Sequence, residues 1–112
     1  MPKIKNIVAR EILASGGLPS LEVTVLLDDE SAGSASVSYG VSAGSKEAFV
    51  LLDGDNKRYN GNGMLRAVFN VNEEIKPLLI GKEATAQRAI DEIMIKADGT
   101  ENKKNLGANA IL

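Results

Sequence analysis

Cysteine, histidine and tryptophan are all absent from this 112-residue chain. Without cysteine there is no disulfide, no thiol nucleophile and no thiolate metal site. Without histidine as well, a Ser-His-Asp triad and the common zinc ligand sets are excluded. The lack of cysteine is consistent with a reducing compartment, and a cytoplasmic location is expected. Aromatic residues make up 4% of the chain, too few to build a stacking platform for single-stranded nucleic acid. Net charge is −2, and the basic residues are scattered, so nucleic acid and anionic membrane are not expected partners. The longest apolar run, residues 48–52, is far too short to cross a bilayer, and the first residues lack the apolar core of a secretory signal. No Asn-x-Ser/Thr acceptor occurs.

The residues that are present make an ordinary globular composition, 44% hydrophobic and 25% charged, enough for one modest core. Strand character comes first. Residues 3–11 carry Ile4 and Ile7 among polar neighbours, and residues 21–26 alternate, placing Leu21, Val23 and Val25 on one face. Residues 34–38 are small and alternating. Ser15-Gly16-Gly17-Leu18-Pro19 and Asp28-Asp29-Glu30 supply the intervening turns. This pattern predicts a three-stranded antiparallel meander. Residues 39–62 read mostly as loop. Helical spacing follows at Met64, Ala67, Val68 and Val71, with Pro77 expected to end or break that helix. A second helix is expected after Thr85, with Ala86, Ala89, Ile90, Ile93 and Ala97 as its apolar stripe and Asp98-Gly99 as its stop. Strands followed by helices predict an α+β fold with helices packed on one sheet face. Gly107–Leu112 reads as the start of a further helix, too short to hold its shape alone.

Four blocks, in order and with matching spacing, resemble the amino-terminal domain of the enolase family. The first is Ala9-Arg10-Glu11-Ile12 with Ser15, Gly17, Pro19 and Glu22. The second is Gly40-Val41-Ser42-Ala43-Gly44 with Glu47-Ala48. The third is Asp53-Gly54-Asp55 with Tyr59, Gly61, Gly63, Ala67 and Val71-Asn72. The fourth joins Ile93-Met94-Ile95 to Asp98-Gly99-Thr100-Glu101-Asn102-Lys103 and Leu106 through Leu112. The resemblance covers residues 1–112 as one domain and stops where the family's next helix, and then its carboxy-terminal barrel, would follow.

Enolases interconvert 2-phosphoglycerate and phosphoenolpyruvate in glycolysis. The resemblance implies that a barrel supplies a lysine base, acidic residues and the carboxylates for two Mg²⁺ ions, while this domain caps the barrel mouth. It implies that Gly40, Ser42 and Gly44 belong to a loop that closes over substrate, with Ser42 reaching the second Mg²⁺. It also implies that Arg10 and Glu22 lie at a subunit interface. No catalytic residue and no complete Mg²⁺ site is expected in this chain. The expected partners are an enolase barrel domain or second subunit, or another copy of the chain. A stand-alone, non-catalytic interaction module is the alternative reading.

Departures from the family pattern cluster at the barrel-facing edge. The usual Asp-Ser-Arg-Gly-Asn-Pro turn reads Ala14 through Pro19, without the arginine. Tyr39, Val41 and Ala43 replace the usual Ser, Ala and Thr, and Leu52 replaces an Arg. Losing two guanidinium groups removes two bidentate donors to carboxylate or phosphate. Read without the resemblance, the other motifs have plain structural explanations. One hydroxyl, Ser42, is no metal site. Asp53-Gly54-Asp55 is not an EF-hand loop, because Arg58 and Met64 stand where Gly and Glu are required. Gly61-Asn62-Gly63 lacks a third glycine and a βαβ setting. Arg10 and Glu22 fit either an intrachain cross-strand pair or an intersubunit contact.

Overall fold

The computed structural model describes residues 2–13, 19–38, 51–61, 63–100 and 103–112. Three strands come first, as alternation dictates: β1 (Ile4–Leu13), β2 (Pro19–Leu27) and β3 (Ala32–Ser38). They pair antiparallel in the order β1-β2-β3. The register sets Ala9 opposite Val23 and Val23 opposite Ala35, so these three residues share one sheet face. A bulge lies between Ile4 and Asn6. Between β2 and β3 the tight turn at Asp28-Asp29 ends on Glu30, whose φ of 74° is left-handed.

Helices follow, and the chain is an α+β domain. Helix α1 (Leu65–Phe69), a π-helical segment (Asn70–Ile75) and α2 (Lys76–Leu79) form one continuous run. Pro77 does not terminate it. It sits in the first turn of α2, where a missing N–H is tolerated, and the wider π turn before it shifts the hydrogen-bond register. Helix α3 spans Gln87–Asp98 and α4 spans Ala108–Ile111. The residue preceding α3 is Ala86, which makes no side-chain capping bond. Its buried stripe is Ile90, Met94 and Asp98, whereas Ala89 and Ala97 are exposed. The i, i+4, i+8 spacing runs through Met94, and small alanines at neighbouring positions face water. Gly99 stops the helix in the left-handed conformation, its N–H bonded to the Ile95 carbonyl.

The core lies where α1, the π segment and α2 cover the sheet near β1, with Ile90 and Met94 of α3 joining it from beyond. Leu21, Met64, Ala67 and Val71 are its most enclosed members. Across the sheet the cover thins: Val23 and Val25 are half-buried and Ala35 is exposed. The outer edge of β1 is closed by other means. Asn72 from the π segment donates its side-chain N–H to the Ala9 carbonyl and accepts the Ala9 N–H, at 3.1 and 2.8 Å. A side-chain amide here stands in for a neighbouring strand. Further along that edge, Ile4 donates to the Lys82 carbonyl and accepts from the Gly81 N–H, and Ala84 donates to Pro2.

Candidate functional site

Ser42, Gly40 and Gly44 lie outside the described residues. Arg10 and Glu22 do not. The hairpin register places them directly opposite each other, on the sheet face away from the helices. Arg10 donates to Glu22 Oε1 from Nε at 2.7 Å and from Nη2 at 2.5 Å. The Arg10 side chain is 70% exposed and that of Glu22 is 24% exposed, so the pair forms a fixed charged feature on an open face. At such exposure an ion pair contributes little to folding, about 0–1 kcal/mol.

Sequence reasoning missed a polar node beneath the segment that precedes α1. Glu11, one residue along from Arg10, points to the opposite face. Its Oε1 accepts from Arg58 Nη2 at 2.5 Å and its Oε2 accepts from the Met64 N–H at 2.7 Å. Asp53 caps α1 by accepting the N–H groups of Leu65 and Arg66, and lies 3.6 Å from Arg58 Nη1. Gly63 leaves room for this ion pair. A Cβ there would stand 2.7 Å from Asp53 Oδ2 and 2.9 Å from Arg58 Nη1. The only sequence signal for the node was the Asp53-Gly54-Asp55 turn; the Glu11–Arg58 link spans 47 positions.

A second node organises the carboxy-terminal segment. Asp98 is buried at the end of α3. Its Oδ2 accepts the Leu106 N–H at 2.7 Å, and its Oδ1 accepts the N–H of Thr100 at 3.0 Å and the Thr100 hydroxyl. Asn109 then makes a paired contact with Leu51, donating to its carbonyl and accepting its N–H, both at 3.1 Å. Among the described residues of the Asp98 to Leu112 block that carries the family signature, Asp98 and Asn109 thus fix backbone groups with their side chains.

Burial pushes the Glu11 carboxyl up, but hydrogen bonds from Arg58 and the Met64 N–H, with the Arg58 charge, outweigh it and leave the pKa below its usual value. Asp98 behaves alike. Burial raises it, and the Leu106 and Thr100 donors bring it below the usual value. A carboxyl with a depressed folded pKa contributes stability that is present above its unfolded pKa and lost as pH falls through the folded one. With unfolded values near 4.3 for Glu and 3.9 for Asp, denaturant midpoints should hold from about pH 7 to 5 and fall below that. Glu11→Gln should flatten part of the decline; an unchanged acid limb in that variant would contradict the assignment.

Chemically, these carboxylates serve as structural acceptors. Both oxygens of Glu11, Asp53 and Asp98 already accept hydrogen bonds. Among the described residues, no three His, Cys, Asp or Glu side chains gather where they could hold a metal ion. The described residues therefore do not fit a magnesium site. No described helix is long and apolar enough to cross a membrane.

Two clefts remain. One, of about 520 Å³, lies beside α1 and sets exposed Leu65 and Phe69 among Asp53, Asp55, Arg58 and Arg66. The other, of about 560 Å³, opens between the sheet and α3, with Val23, Val25, Ile90, Met94, Ile111 and Leu112 on its walls. Leu112 is 84% exposed at its mouth. The architecture and the signature blocks agree with a comparison against known families. The family described as "Enolase, N-terminal domain" matches residues 4–112, essentially from end to end, and the chain belongs to that family.

Proposed function

We propose that this chain serves as the capping domain of an enolase-like protein and does not turn over substrate by itself. In that role it contributes a subunit contact and a closing loop to the interconversion of 2-phosphoglycerate and phosphoenolpyruvate. The lysine base, the acid and the Mg²⁺ carboxylates belong to a barrel. The observation that carries this reading is the family match over residues 4–112. The carboxylates of Glu11, Asp53 and Asp98 support the non-catalytic part, since each is engaged in fixing backbone N–H groups within the domain. Gly40, Ser42 and Gly44 are the loop positions, and Ser42 is the Mg²⁺-reaching residue. A cytoplasmic setting fits the glycolytic substrates. Membrane and nucleic acid are not expected partners.

A second reading is favoured by a specific contrast. Arg10 and Glu22 are kept and stand on an open face, while Tyr39, Val41, Ala43 and Leu52 depart from the family at the substrate edge. A domain that keeps a contact surface while its substrate edge diverges fits a non-catalytic module that binds an enolase or itself.

The purified chain with 2-phosphoglycerate and magnesium should yield no phosphoenolpyruvate absorbance above a no-protein control; turnover would overturn the cap reading. Titrating the chain into a full-length enolase separates the two readings. Association that survives the normal loop sequence but fails in Arg10→Ala favours the module. Restoration of activity to a barrel lacking its own cap favours the cap.

A further inference from the structure

The two edges of the sheet are treated differently. The β1 edge is closed by the Asn72 amide and by residues 81–84. At the β3 edge, no described residue hydrogen-bonds to the backbone from outside. Since Ala9 turns both backbone groups outward to Asn72, strand alternation fixes the rest. Beyond the bulge, from Asn6 on, even-numbered residues of β1 bond β2, odd-numbered residues of β2 bond β3, and the even-numbered residues of β3 direct their N–H and C=O groups outward.

Natural edge strands are usually blunted by charge, proline, a bulge or very short length. Strand β3 has none of these. It is seven residues long, Ala-Gly-Ser-Ala-Ser-Val-Ser, with a regular register to β2. Its outward row of backbone groups is complementary to another extended backbone.

We propose that the β3 edge pairs with the β3 edge of a second copy of this chain, joining two three-stranded sheets into one of six strands. Three observations select a second copy. A twofold antiparallel contact sets a strand against a copy of itself, so a charge at the axis would meet its like directly and one beside the axis would lie close to it. From Ser31 to Ser38 there is no charged side chain, while charges crowd just before at Asp28, Asp29 and Glu30. Full overlap of residues 32–38 with themselves puts Ala35 against its own symmetry mate. That register makes residue 34 bond residue 36, and both belong to the outward-facing even set. The side chains brought together are small, so two strands approach without a clash. Pairing also stops at two copies, because the β1 edge is closed and the sheet cannot propagate into a fibre.

In this register Ala35 is a non-hydrogen-bonded pair across the twofold axis, where side chains lie closest, at a Cα separation of about 4.5 Å. Ala35 is exposed in the single chain, so a charge there leaves the fold intact. Sedimentation velocity on the full chain over a wide concentration range should show a reversible dimer. Ala35→Lys and Ala35→Glu should each weaken it roughly tenfold or more. An equimolar mixture of the two variants should recover the dimer, since Lys then faces Glu. Amide exchange of the unmodified chain gives a readout without mutation: the Ser34 and Ser36 N–H groups should gain protection as concentration rises. A chain that stays monomeric, variants that dimerise as well as the original, or exchange at Ser34 and Ser36 independent of concentration would each overturn the proposal. The edge is independent of the cap reading, because no barrel enters the argument.

Discussion

Gly107→Ala is expected to destabilise the domain by about 2–6 kcal/mol, a large share of the roughly 5–15 kcal/mol that holds a domain of this size together. Two costs add. Gly107 has φ +93° and ψ 134°, an extended positive-φ conformation used almost only by glycine, which costs another residue about 1–3 kcal/mol. The second cost is space. A Cβ at position 107 would stand 2.6 Å from the Leu51 Cβ and 2.7 Å from Asn109 Oδ1. Those are the two residues whose paired hydrogen bonds tie the carboxy-terminal segment to the middle of the chain. Overpacking of that kind typically costs about 1–3 kcal/mol. Gly54 provides the control, with φ +71° and nothing within 4 Å of its ideal Cβ. Gly54→Ala should therefore show the backbone cost alone. Urea midpoints for the two variants measure the difference directly; equal losses would mean that the crowding at Leu51 is relieved at little cost.

Much of this was readable from the chain, for reasons that differ by element. The sheet was legible because alternation in residues 21–26 and two turn clusters leave few other arrangements. The pairing of Arg10 with Glu22 follows from the hairpin register, although its exposure does not. The helical run does not end at Pro77, although its α-helical pattern is interrupted just upstream. A π segment upstream lets the run absorb the proline, and that segment depends on packing against β1. The α3 stripe was misassigned because alanine is apolar enough to count in a pattern yet small enough to sit in water. The Glu11–Arg58, Asn72–Ala9 and Asn109–Leu51 contacts were illegible for a common reason. Each joins residues 47 to 63 positions apart and satisfies a backbone or charge whose isolation exists only once the fold is made. The substrate-loop positions Gly40, Ser42 and Gly44 came from the family resemblance and stand outside the described residues.

Asp98→Ala should produce the other large effect, on the order of 3 kcal/mol, and its size turns on which donors are stranded. Three protein donors converge on this carboxylate: the Leu106 N–H, the Thr100 N–H and the Thr100 hydroxyl. Thr100 is half-exposed, so water can replace its partner. Leu106 is buried, and an unsatisfied buried N–H costs about 1–3 kcal/mol, more where the lost acceptor was charged. Asp98→Asn discriminates between shape and charge. It keeps the volume but must aim an amide N–H at one of the donors, so it should recover little of the loss. The pH dependence supplies a second, independent readout. Because the folded pKa of Asp98 is depressed, its contribution is present above about pH 4, the unfolded value, and disappears as pH falls through the folded value. In Asp98→Asn that part of the acid limb should vanish while the part due to Glu11 persists. If the variant unfolds with the same slope against pH as the original, Asp98 is not held as a carboxylate, and the signature block from Asp98 to Leu112 must be fixed in place by some other contact.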